Sequence, residues 1–64
     1  MKNLWEYDRR HVKLLTKDGR TYNGICSAGT DYETEEDYLE FYMSEEKTIH
    51  EIMESEIETI EITK

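Results

Sequence analysis

Two histidines, one cysteine and a run of carboxylates interleaved with tyrosines are the residues of this chain that could do chemistry. A metal or catalytic role for His11 or His50 needs partners at ligand spacing. Neither histidine has a nearby cysteine, and Glu51, the neighbour of His50, points to the other face of a strand. Cys26 as a nucleophile needs an adjacent base or an electropositive setting. Its sequence neighbourhood supplies neither, so it reads as a buried structural thiol. Asp31, Glu33, Glu35, Glu36 and Asp37 offer oxygen ligands for Ca²⁺ or Mg²⁺. The EF-hand spacing and its central glycine are missing, so the run reads as a solvated loop. Tyr32, Tyr38 and Tyr42 could stack bases, or pack at an interface that enriches aromatics. No residue is assigned to catalysis, a metal or a cofactor, and the chain reads as a non-enzyme.

Sixty-four residues make a single domain, residues 1–64. Such a domain buries only about 60% of its unfolded surface, so its core is marginal and usually stapled. One cysteine excludes an internal disulfide and any zinc-type cysteine spacing. Association with further copies is the remaining common staple. No apolar run approaches membrane-spanning length and no signal peptide is visible, so a cytoplasmic location without membrane contact is expected.

The net charge of −8 is unevenly placed. Residues 1–30 carry six Lys/Arg against three acids, a net +3. Residues 31–64 carry two Lys/Arg against thirteen acids, a net −11. An acidic protein repels nucleic-acid phosphates unless its basic residues cluster, and the plainest reading of the imbalance is solubility.

The elements that must position these groups centre on residues 11–26, HVKLLTKDGRTYNGIC. Asp18-Gly19 is a strong turn signal. A two-residue loop sets Leu14 opposite Asn23; a three-residue loop with Gly19 left-handed sets Leu14 opposite Tyr22 and Val12 opposite Gly24. The second gathers Val12, Leu14, Tyr22 and Cys26 on one face and is preferred. Leu15 and Ile25 then fall on the other face, and Gly24 permits a sharp bend. Upstream, Asn3 and Glu6 form a capping-box variant over a short helix, with Leu4 and Trp5 covering one open end of the strands. Further strands are expected at 38–43, 48–53 and 57–62, with residues 27–37 as an exposed acidic loop and 54–56 as a turn. The fold class is mainly β: a small five-stranded barrel, closed or nearly so, with a short N-terminal helix.

The residues Val12, Leu14, Lys17, Asp18, Gly19, Arg20, Tyr22 and Gly24 resemble the first motif of the Sm-like family, a helix followed by a bent five-stranded, SH3-like barrel. Glu54 to Ile62 resembles the last two strands of short bacterial and phage members of unassigned role. The resemblance implies homo-oligomeric rings built by pairing strand 4 of one subunit with strand 5 of the next. Ile49, Ile52, Ile60 and Ile62 are the seam residues that this implies. RNA-binding members hold uridines with an Asp and Asn after strand 2 and an Arg-Gly pair between strands 4 and 5. Here no Asn follows Asp31, and Met53-Glu54-Ser55-Glu56 has neither Arg nor Gly. The uridine pocket is therefore not carried over, and tight oligouridine binding is not expected.

Two functional readings follow. One is a homo-oligomeric Sm-like module that scaffolds, or binds a nucleotide or short RNA through Tyr32, Tyr38 and Tyr42. The other is an acidic inhibitor of phage type. Its loop residues Asp31, Glu33, Glu35 and Glu36 would imitate a phosphate backbone and occupy a host defence protein.

Overall fold

Thr16 closes the central hairpin. Its amide donates to the Arg20 carbonyl at 2.8 Å, and the Gly19 amide donates back to the Thr16 carbonyl at 3.1 Å. The loop is thus Lys17-Asp18-Gly19, with Gly19 at φ +92°. The resulting register sets Leu14 against Tyr22 and Val12 against Gly24, as the three-residue loop requires. The computed structural model describes residues 3–43 and 45–63. Met1 and Lys2, at the head of the expected N-terminal helix, lie outside the described residues. So do Ser44, the start of the connection expected between strands 3 and 4, and Lys64.

Five antiparallel strands follow a one-turn 3-10 helix at Leu4–Tyr7. They are β1 (His11–Thr16), β2 (Thr21–Asp31), β3 (Glu36–Met43), β4 (Thr48–Met53) and β5 (Ile57–Ile62), with a second 3-10 turn at Glu54–Glu56. The sheet order is β4-β3-β2-β1-β5. The sheet therefore ends on β4 and β5 and is not closed. This corrects the expected closed or nearly closed barrel: an eleven-residue β2 is shared by both halves, while β4 and β5 stay unpaired with each other.

β2 pairs with β1 through Ile25 and with β3 from Cys26 onward. Phe41 sits opposite Cys26, four residues along β2 from Tyr22, a rise of roughly 13 Å in a straight strand. Yet the Tyr22 and Phe41 rings stack at 5.4 Å with 25° between planes. The sheet therefore folds over itself across β2, where Gly24 has φ +152°. One core results, with Val12 and Leu14 from β1, Leu39 and Phe41 from β3, Ile52 from β4 and Ile57 from β5. No helix among the described residues is long and apolar enough to cross a membrane.

The N-terminal turn differs from expectation. Asn3 caps it, its Oδ1 accepting from the Trp5 amide at 2.9 Å. Leu4 and Tyr7 are the residues it buries, while Trp5 stays half exposed. With three residues per 3-10 turn, positions i and i+3 share a face, so Tyr7 joins Leu4 and Trp5 does not. Trp5 Nε1 instead donates to Thr30 Oγ1 at 3.1 Å.

The acidic loop is also shorter than expected. Residues 27–31 continue β2 and 36–37 begin β3, so only four residues turn between them. Asp31 and Glu36 are the last strand pair before that turn. Backbone pairing sustains this polar extension, which has no apolar alternation to announce it.

Candidate binding face and sheet edges

On β3 the side chains of Leu39 and Phe41 enter the core, so Tyr38, Glu40 and Tyr42 stand on the outer face. The register adds Gly29 and Ser27 from β2, and Met53, Glu51 and Ile49 from β4. Tyr38 lies over Gly29: a Cβ there would come within 2.5 Å of the Tyr38 ring. The glycine is thus a seat for the ring, a device also used to shield glycines within sheets. Burial raises the Tyr38 phenol above its ordinary pKa. The negative charges of Glu40 and Glu51, a hydrogen bond to Glu40 and the charge of Asp31 add to that shift. Tyr42 and Ile49 face each other across the strands and are 63% and 62% exposed. Glu40 and Glu51 are also directly opposite, an arrangement that ordinarily destabilises a sheet.

The expected site residues divide between this face and structural duties. Tyr38, Thr30, Asp31, Tyr32, Glu33 and Glu51 line one open depression. Tyr32 stands at the turn, 90% exposed. Asp31 Oδ1 accepts from the Glu33 amide at 2.9 Å and shapes that turn. Glu35 occupies a left-handed position, φ +59°. Glu36 serves as a tie to the turn after β4: its carboxylate accepts from the Ser55 amide at 2.7 Å, which holds it below the usual carboxylate range. Alternation along strand 3 already sets Glu40 beside Tyr38 and Tyr42, as the burial pattern bears out, whereas Glu51 and Met53 were missed as members of this face. The alternation of strands 3 and 4 holds the signal, but it can be read only once their register is known.

Of the expected seam residues, Ile52 is corrected. It is fully buried in the core and offers no side chain to a partner. Ile49 is exposed on β4, Ile60 packs partly against the core, and Ile62 is partly exposed near the end of β5. Leu15 and Ile25 do lie on the outer face of the hairpin, and Ile25 is exposed.

Much of the other polar chemistry is internally satisfied. Thr16 Oγ1 donates to Asp18, and Arg20 Nε donates to both Asp18 oxygens at 3.0 Å. The Thr16 hydroxyl and then Arg20 hold the Asp18 carboxyl below its ordinary pKa. Arg20 also donates to the Tyr22 hydroxyl at 2.9 Å and pairs with Glu56 at 3.5 Å. Its charge is thus occupied within the fold. His50 Nε2 lies 3.0 Å from Glu46, and His11 Nδ1 lies 2.8 Å from Thr63 Oγ1. Among the described residues no group of three or more His, Cys, Asp or Glu side chains is placed to hold a metal ion.

Cys26 is buried, and its thiol donates to the Tyr7 carbonyl at 3.1 Å. Burial, followed by the charge of Asp8, pushes its pKa up. A thiol held neutral in this way reacts slowly. With an aromatic disulfide reagent at pH 8, Cys26 should react at least about tenfold more slowly in the native protein than in denaturant. Equal rates would show that the thiol is open to solvent.

Comparison with family models, with curated proteins and with solved structures finds no match to this chain.

Proposed function

We propose that this chain is a non-enzymatic, Sm-like assembly module, in which β4 of one copy pairs with β5 of the next. The observation that carries the reading is the sheet order, which puts those two strands at the edges of the sheet. Unpaired edges recruit other chains unless they are blunted, and the chain contains no proline to blunt them. Ile49 and Ile62 leave apolar surface beside the two edges. Pairing two different edges is heterologous, and it gives a ring where the rotation closes. The hairpin's resemblance to the Sm-like motif implies the same pairing. The resemblance also implies a nucleotide or short RNA as guest, which the carboxylates on the outer face of β2, β3 and β4 do not favour.

Charge opposes assembly. Each copy brings −8, and Glu51, Glu58 and Glu61 lie on the edge strands. Screening weakens exposed like-charge repulsion beyond a Debye length of about 8 Å near physiological ionic strength. Light scattering should therefore give a multiple of the 7.7 kDa chain mass that grows with salt and protein concentration. A monomer mass at high concentration in both low and high salt would defeat the reading.

A further inference from the structure

The outer face of β2, β3 and β4 is aromatic and apolar along one line and acidic along the next. Among the described residues nothing packs over Tyr42 or Ile49 on this face. Tyr38 is seated on Gly29, and Tyr42 and Ile49 stand exposed and paired beside it. Between them Glu40 and Glu51 face each other, with Asp31 and Glu33 at the end of the same surface. No Lys, Arg or His occupies this face in the paired rows. None of the ion pairs among the described residues involves Asp31, Glu33, Glu40 or Glu51. The opposed Glu40 and Glu51 charges work against the sheet, and no cation among the described residues pairs with them.

We infer that this face is a docking surface for an arginine-rich polypeptide segment. Charge complementarity selects the occupant. A guanidinium set between Glu40 and Glu51 makes charge-assisted hydrogen bonds and relieves their repulsion. Its plane also stacks on an exposed tyrosine ring, a geometry that ammonium groups match less well. A nucleic acid fits poorly, because its phosphates meet only carboxylates here. The inference uses the outward side chains of β3 and β4 and not the backbone edge of β4, although Ile49 and Glu51 belong to the strand that ring assembly would pair.

The test is fluorescence anisotropy with the full chain and a labelled twelve-residue peptide of alternating arginine and serine, at 150 mM salt. Comparison probes replace arginine by citrulline or lysine, and a fourth probe is a twelve-residue oligouridine. Saturable binding of the arginine peptide is expected, with lysine weaker and citrulline and oligouridine unbound. Glu40→Gln/Glu51→Gln should weaken it about tenfold or more, because close charge pairs carry such interfaces. The charge-matched control Glu58→Gln/Glu61→Gln on β5 should change it less than about twofold, as expected for remote screened charges. Tyr42→Ala should weaken it about threefold or more through the lost cation–π contact. Removing the Glu40–Glu51 repulsion should leave the double variant at least as heat-stable as the parent, so lost binding would not reflect lost folding. Equal losses in both double variants would reduce the effect to net charge and overturn the inference. So would binding of oligouridine in preference to the peptide, or no saturable binding of any cationic probe.

Discussion

Phe41→Ala is expected to destabilise the domain by about 3–5 kcal/mol, the usual range for emptying a large aromatic site in a core. Phe41 is 2% exposed and sits at the middle of β3, opposite Cys26 on one side and His50 on the other. Its ring stacks on Tyr22, which belongs to the half of β2 paired with β1. One side chain therefore joins the two halves of the folded-over sheet, and its loss opens a cavity that neither half can fill alone. A domain of this size holds roughly 3–10 kcal/mol in total, so the variant should be close to the edge of folding at 25 °C. Tyr42→Ala, one residue further on, removes an exposed ring and should cost less than about 1 kcal/mol, the range of a cross-strand pair. Urea unfolding followed by circular dichroism, at one fixed protein concentration, measures both. Similar losses for the two variants would mean that Phe41 is not the link between the halves.

Gly19→Val should cost about 1–3 kcal/mol, the range for forcing a branched residue into a disfavoured backbone region. Gly19 has φ +92°, and a Cβ built there meets nothing within 4 Å. Contact of the Cβ itself thus contributes nothing, and the loss comes from the positive φ. Gly19→Asn should recover part of it, because asparagine visits left-handed backbone more readily than valine. Because the hairpin sets the register of Val12, Leu14 and Tyr22, the turn also protects the alternation that fills the core. A loss below about 1 kcal/mol for the valine variant, or equal losses for valine and asparagine, would show that the loop does not depend on that conformation.

The acidic stretch shows why part of the candidate face was hidden in the sequence. Residues 27–31 and 36–37 have no apolar alternation, so they read as loop. In the fold their strand character comes from backbone pairing between β2 and β3 and from the Tyr38 ring resting on Gly29. Neither contact leaves a local pattern. The Glu40–Glu51 opposition is similar, since each residue alone is an ordinary outward position on its own strand. Ile49 and Ile52 teach the complementary lesson. They are three apart, so alternation alone places them on opposite faces of a strand, and one of the two had to leave the seam. Which one entered the core depended on the register of β4 against β3.

The sequence by itself determined the features whose causes lie within a few residues. These are the three-residue loop at Lys17-Asp18-Gly19, the pairing of Leu14 with Tyr22, the five alternating segments and the turn at 54–56. Turn chemistry and side-chain alternation act locally, so they are written in the order of the residues. Only the tertiary structure decided that β2 runs on to Asp31, that the sheet stays open between β4 and β5, and that Tyr7 rather than Trp5 seals the core. The first two depend on contacts between residues far apart in the chain, and the third on a 3-10 turn forming where a helix was expected. The lowest free energy there is set by how the halves meet across β2, a geometry that no short window of sequence contains.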